Sequence, residues 1–238
     1  MPRYPILLFD ADGTLFDFEK AEENALYQAF RTVGFSCTPD IYHRYHEINR
    51  GLWLQLEQGL ITRERLKTER FSLLFQQTGL PAESEAFGRR YTDFLSQGSF
   101  LLDGALELCQ SLSRHCRLSI ITNGNLSVQK KRFYSSSLVP YFERLFISEE
   151  LGCNKPEKAF FDKVLTALEI HDPSQALVIG DSLSSDILGG IHSGLDTCWT
   201  NFKKEINCSG VLPTFEISSF QELFPIVEGQ ASPPRDEN

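Results

Sequence analysis

Four short segments of the chain carry residue types that can do chemistry together. The apolar run Ile6-Leu7-Leu8-Phe9 delivers Asp10-Ala11-Asp12-Gly13-Thr14, and Leu118-Ser119-Ile120-Ile121 delivers Thr122-Asn123-Gly124. Ala176-Leu177-Val178-Ile179 delivers Gly180-Asp181-Ser182, with Asp186 one turn on. Between the last two lies Gly152-Cys153-Asn154-Lys155-Pro156, where Pro156 suits the first position of a helix. An acid at the carboxyl end of an apolar strand sits where open α/β sheets bind ligands. Asp10 and Asp12 stand two apart in an extended segment that Gly13 bends, so both can face one crevice. Two carboxylates beside a dry sheet are costly unless a cation or a proton settles them. Taken alone the pair also fits a capping turn; as chemistry, it asks for a metal ion, acid–base work, or both.

The four segments together offer four acids, one lysine, one hydroxyl and several backbone amides, an inventory that suits phosphoryl transfer. A hard cation such as Mg²⁺, or Mn²⁺ in its stead, takes oxygen ligands and keeps several waters. Asp10, Asp181 and a backbone carbonyl near Asp12 can supply three of them. Lys155, the Thr122 hydroxyl and the Asn123 amide can hold the phosphoryl oxygens, where transition-state charge accumulates. One carboxylate can attack phosphorus and form an aspartyl-phosphate. A second must protonate the leaving oxygen and later activate water, a task that suits Asp12. Asp186 also suits the first turn of a helix through the macrodipole, so direct ligation and orientation of the metal's shell both stand. Ser182 has no histidine with a fitting partner and reads as a helix-start hydroxyl. His43 and His46, three apart, read as a solvated helix face rather than a metal site. Tyr45 and Trp53 fit either base stacking or packing between helices.

The elements that must hold these residues follow from the hydrophobic pattern. The segments Leu118–Thr122, Leu145–Ile147, Ala176–Gly180 and Thr197–Trp199 read as strands, with helices between them, the clearest at Ala159–Glu169. That alternation predicts an α/β fold, a Rossmann-like parallel sheet with helices on both faces, and the first strand belongs with it. Before it, residues 17–96 show helical patterns only. One apolar stripe runs through Ala25, Leu26, Ala29, Phe30 and Val33; Pro39 opens a second helix, Thr62 caps a third, and Glu83–Leu95 forms a fourth. The expected organisation is a core of residues 1–16 and 97–228, an all-helical insertion of residues 17–96, and a disordered polar tail over 229–238 containing Pro233-Pro234.

Bulk composition narrows the partners. A formal net charge of −9 over 238 residues argues against nucleic acid or an anionic membrane as the main partner. The chain shows neither a basic-then-apolar leader nor an apolar run approaching about 18 residues, so a cytoplasmic location without a membrane segment is expected. The six cysteines include no C-x-x-C pair and read as buried, reduced thiols. The expected partner is a small phosphorylated substrate, and the expected state a monomer or weak homodimer.

Asp10-x-Asp12-Gly13-Thr14, Thr122-Asn123-Gly124, Lys155-Pro156 and Gly180-Asp181-Ser182-Leu183-Ser184-Ser185-Asp186 resemble, in order and in strand context, the four motifs of the haloacid dehalogenase-like hydrolases. The helical insertion resembles that family's C1-type cap. The resemblance implies Asp10 as nucleophile and metal ligand, and Asp12 as general acid/base and carbonyl ligand. It implies Thr122, Asn123 and Lys155 as phosphate-binding residues, Asp181 as a Mg²⁺ ligand, and Asp186 as a ligand or an orienter of the shell. Asn49-Arg50-Gly51-Leu52-Trp53, Gly59-Leu60-Ile61-Thr62, Ile147–Gly152, Ser185–Gly190 and Thr197-Cys198-Trp199 are similar to bacterial pyrimidine 5′-nucleotidases of the YjjG type. That likeness implies hydrolysis of dUMP, dTMP and related nucleotides. Phosphatases for phosphoglycolate, flavin mononucleotide or sugar phosphates, a phosphosugar mutase, a haloacid dehalogenase and a non-enzymatic binding role are the rival readings. Asp12, Asp181 and Asp186 argue against the dehalogenase, whose chemistry needs neither a metal nor the second acid.

Overall fold

Strand β1 (Ile6–Phe9) is buried at every position, as its unbroken apolar sequence requires of a strand covered on both faces. In the computed structural model, which describes residues 2–231, it lies at the centre of a six-stranded sheet. It pairs in parallel with β2 (Arg117–Thr122) on one side and β4 (Ala176–Gly180) on the other, with Phe9 level with Ile120 and Ile179. β3 (Arg144–Ile147) flanks β2, while β5 (Asp196–Thr200) and β6 (Phe215–Ile217) extend the other side, giving the order β3-β2-β1-β4-β5-β6. All pairings are parallel, so every strand ends on the same edge. The strand β6, three residues long, carries too little pattern to stand out in the sequence.

Side-chain alternation sends the strands into two cores. Leu7, Phe9, Leu118, Ile120, Leu177 and Ile179 join one cluster, and Ile6, Leu8, Ile121, Ala176 and Val178 join the opposite one. Between β1 and β2 come α1 (Phe18–Thr32), α2 (Pro39–Glu57), α3 (Arg63–Thr78), α4 (Ser84–Leu95) and α5 (Ala105–Leu112). Thr38, Thr62 and Glu83 cap three of these through side-chain oxygens. Helices α1 to α4 enclose an apolar interior of their own around Phe30, Phe71, Phe87 and Tyr91. The two linkers to this helical unit run side by side. Phe16 and Leu101 form an antiparallel bridge, and the Asp17 amide donates to the Phe100 carbonyl at 3.0 Å.

The remaining helices are α6 (Leu126–Tyr134), α7 (Ser148–Leu151), α8 (Lys158–Ala167), α9 (Leu188–His192) and α10 (Leu223–Val227), and a π-helical turn spans Leu183–Ile187. Pro156 does not open α8 as its sequence context predicts. It sits in a turn two residues earlier, after a cis peptide bond from Lys155, and Glu157 occupies the cap position. Gly229, Gln230 and Ala231 are tied back to α10, with the Gln230 and Ala231 amides donating to the Pro225 carbonyl; the rest of the expected disordered tail lies outside the described residues. Among the described residues no helix is long and apolar enough to cross a membrane. None of the six cysteines is disulfide-bonded, and five are buried.

Candidate active site

Asp10 leaves the end of β1 with its amide donating to the Ile179 carbonyl at 2.8 Å, so the sheet ladder itself fixes its backbone. Gly13 then turns the chain at φ +83°, a conformation glycine adopts without cost, and a Cβ there would collide with the Asp181 carboxylate. The first motif and the end of β4 are thus pressed together at a point that only glycine permits. Gly180 makes the same allowance for Asp186, whose side chain occupies the space a Cβ would need.

The resulting cluster is compact. Asp10, Asp181 and Asp186 each place a carboxylate oxygen within 4.8 Å of the others. Lys155, fully buried, donates from Nζ to Asp10 Oδ1 and Asp186 Oδ1, both at 2.6 Å, and to the Ile121 carbonyl at 2.9 Å, which uses all three of its hydrogens. Asp186 also accepts from the Ser182 amide at 3.2 Å through Oδ2. Asp10 Oδ2 accepts no hydrogen bond among the described residues. Burial pushes the Asp10 carboxyl up to about 7, against the pull of Lys155 and with the push of Asp186. Burial also works against the charge on Lys155, but Asp10 and Asp186 outweigh it and hold the ammonium above the usual lysine range. Asp181 is exposed at the cleft mouth, yet the desolvating walls, then Asp10 and Asp186, push its carboxyl well above the ordinary value. Its carbonyl is anchored by the Trp199 indole at 2.8 Å.

Asp12 is held apart from this cluster by α6. Gln129 Nε2 donates to one carboxylate oxygen and Arg132 Nη1 to the other, each at 2.5 Å. Arg132 is fully buried, donates through Nε to the Gly98 carbonyl at 2.8 Å, and lies over the ring of Phe16. One guanidinium therefore touches Asp12 and both linkers to the helical unit. The Thr122 hydroxyl accepts from the Gly124 amide and from Gln129. The Asn123 side chain exchanges two hydrogen bonds with the backbone of Lys155, at 2.8 and 2.9 Å, so it clips the lysine loop in place as well as facing the site.

Four carboxylates meet two contacting cations here, leaving two negative charges in a poorly solvated cleft. The three-carboxylate set is all oxygen, which fits a hard divalent cation. Asp10, Asp181 and Asp186 would hold it.

The helical unit roofs this edge and encloses a cavity of about 250 Å³ that reaches from Asp10 and Asp12 to Trp53, Glu57, Arg63, Leu66, Arg70 and Leu95. Arg63, at the start of α3, donates to the Asn123 carbonyl at 2.8 Å, to Asn154 Oδ1 at 2.5 Å and to the Ser148 hydroxyl. Lys67 pairs with Glu149 at 3.0 Å, and Ser184 donates to Glu57 at 2.7 Å. Burial pushes Glu57 upward and Arg63 downward from their ordinary values.

All seven residues singled out in the sequence, Asp10, Asp12, Thr122, Asn123, Lys155, Asp181 and Asp186, line this cavity. Ser182 caps the turn before Asp186, as its position suggested. Tyr45 is buried and stacks on Phe71, whereas Trp53 reaches the cavity. His43 is exposed, and His46 is partly exposed with its Nδ1 3.1 Å from the buried Glu22. Sequence reasoning passed over Gln129, Arg132, Arg63 and Arg70. The first two had a signal, polar residues three apart on the inner face of the helix that follows Thr122-Asn123-Gly124.

The fold and this carboxylate–lysine edge define the chain's class: it belongs to the haloacid dehalogenase-like hydrolases, whose family model matches residues 4–194. Its relatives are close. The HAD-hydrolase YfnB of Bacillus subtilis (strain 168) is 40% identical over 95% of this chain and 97% of its own. A crystal structure of YfnB bound to magnesium, described as revealing interdomain movement, superposes with a TM-score of 0.90 over 94% of this chain and 99% of that one. The pyrimidine 5′-nucleotidases PynA of Streptococcus pneumoniae (strain ATCC BAA-255 / R6) and YjjG of Escherichia coli (strain K12) are 37% and 34% identical, over 94% and 91% of this chain and 95% of each relative.

Proposed function

We propose that this enzyme is a Mg²⁺-dependent phosphatase that hydrolyses pyrimidine nucleoside 5′-monophosphates in the cytoplasm through an aspartyl-phosphate on Asp10. The carrying observation is the division of labour at the sheet edge. One carboxylate, Asp10, is locked on one oxygen by Lys155 and bare on the other, while a second, Asp12, is held separately by Gln129 and Arg132. Two acids kept apart by different partners are what two-step phosphoryl transfer needs. The kinship to PynA and YjjG supports the pyrimidine substrate.

The bare oxygen of Asp10 attacks phosphorus, and the bond to the ester oxygen breaks as Asp12 gives that oxygen a proton. Water then attacks the phosphoryl group, its proton passes to Asp12, and phosphate leaves with Asp10 regenerated. The Thr122 hydroxyl and the Asn123 loop meet the phosphoryl oxygens, and Lys155 joins them by giving up one of its three present hydrogen bonds. Asp10, Asp181 and Asp186, with the Asp12 carbonyl, would hold a divalent cation, which when bound would neutralise charge as two anions approach. The roof formed by α1 to α4 excludes bulk water and selects the leaving group.

The test is a phosphate-release screen over nucleotides and small phosphate esters with Mg²⁺. Pyrimidine monophosphates are expected to lead, and EDTA is expected to abolish release. A preference for another ester would overturn the substrate, and release that survives EDTA would overturn the metal.

A further inference from the structure

Arg70, on α3, is 7% exposed and reaches the cavity wall, yet its charge is met by no carboxylate among the described residues. Its guanidinium carries five N–H groups in a rigid fork. One of them makes a long hydrogen bond, Nη1 to Asn49 Oδ1 at 3.4 Å, and Nε has no partner. The nearest buried acid in the hydrogen-bonded chain, Glu22, is already taken by Asn49 Nδ2 at 2.8 Å and by His46. Asn49 therefore stands between the buried cation and the buried anion. Two aromatic faces hold the guanidinium in place, Phe71 at 5.0 Å and Tyr91 at 4.9 Å. Leaving a buried donor unmet is expensive, more so when it is charged. The buried Tyr45 hydroxyl lies beside the guanidinium as a second acceptor, but two acceptors do not meet five N–H groups. A cation fixed by stacking, short of acceptors and lining the cavity that also holds Asp10 is arranged to receive an acceptor from a ligand.

We propose that Arg70 is the specificity residue of the helical roof, donating to an exocyclic carbonyl oxygen of the leaving group, on the pyrimidine base. The inference rests on the nucleotidase reading above and adds to it the contact that recognises the base. The chemistry follows from the donor set. Arg70 offers only donors, so it favours a ligand edge carrying carbonyl oxygens, which every pyrimidine base has and adenine lacks. Trp53 and Leu66, on the same cavity, supply apolar surface for a ring. The phosphate end stays with Lys155 and Thr122, so recognition and chemistry sit on different elements.

The experiment compares uridine 5′-monophosphate with phenyl phosphate, whose leaving group has no oxygen acceptor beyond the ester itself. R70Q and R70K are assayed beside the unaltered enzyme, with thermal unfolding of each. Losing a hydrogen bond from a charged donor should lower kcat/KM for uridine 5′-monophosphate roughly 10- to 100-fold, chiefly through KM. Phenyl phosphate should change less than about threefold, and R70K, which keeps charge but not the fork, should fall between. Equal losses on both esters would make Arg70 a structural residue, and no loss on either would remove it from recognition; each overturns the proposal. The nucleotidase reading fails separately, if the unaltered enzyme prefers another ester to uridine 5′-monophosphate. In that case a loss in R70K confined to carbonyl-bearing esters still upholds Arg70 as the recognising residue.

Discussion

Lys155 in the core and Arg70 in the roof are both buried cations, and their surroundings differ in kind. Lys155 spends every hydrogen, on Asp10, Asp186 and the Ile121 carbonyl, at 2.6 to 2.9 Å. Among the described residues Arg70 makes one long hydrogen bond and no ion pair. The core fixes Lys155 in advance, which suits a group that must stand still while bonds change. The roof has left a donor open, which suits a group whose partner arrives with the substrate. The difference separates the energy of chemistry from the energy of recognition, and each half can be broken alone.

The largest effect should come from Asp10→Asn. Removing the proposed nucleophile is expected to lower kcat on the order of 10⁴-fold or more, with nucleotide binding by calorimetry retained. Loss of binding as well would erase the separation. Lys155→Ala should come next. It leaves Asp10 and Asp186 buried without a counter-charge, a defect worth about 3–5 kcal/mol, readable as a lower urea midpoint in EDTA. An unchanged midpoint would show that the carboxylates are not strained by proximity.

Arg63→Ala severs the roof from the Asn123 and Asn154 loops without touching Asp10 or Arg70. Steady-state kinetics should show KM for the nucleotide rising several-fold, with kcat within a factor of about three; a collapse of kcat would mean that Arg63 shapes the phosphate loop itself. The smallest effect belongs to His46. The Glu22 carboxylate raises its folded pKa above the ordinary value, so protonated His46 stabilises the fold. That contribution is complete below the unfolded pKa near 6.5 and disappears as pH climbs through the raised folded value. With the ring partly open to solvent, His46→Gln should cost well under 1 kcal/mol, and only on the acid side, in urea unfolding at two pH values.

The same contrast governs what the sequence discloses. Asp10, Asp181 and their neighbours stand at strand ends, where a short apolar run announces the strand and the next residue must face the ligand edge. That local grammar made the core site and the parallel sheet legible. Arg132 and Arg70 lie inside helices, where an arginine looks like any solvated charge until the opposite wall is known. Nothing near Arg70 in the chain says that Tyr91, on another helix, covers its face. The partner of His46 was hidden for the same reason, since Glu22 is 24 residues away. Pro156 misled in the other direction: its ordinary helix-opening role yields to a turn that aims Lys155 inward.

The central place of β1 also sets a timetable. The first strand synthesised has as its neighbours β2, which begins at residue 117, and β4, which begins at residue 176. Helices α1 to α4 pack largely on one another within one continuous stretch, Phe18–Leu95, so they can consolidate while β1 still waits. The sheet cannot close until β4 arrives, and the pairing of Asp10 with Lys155 spans 145 residues. A nascent chain thus completes the helical roof before Asp10 and Lys155 can meet. Regained activity on refolding is expected to mark the completion of the sheet rather than of the helices.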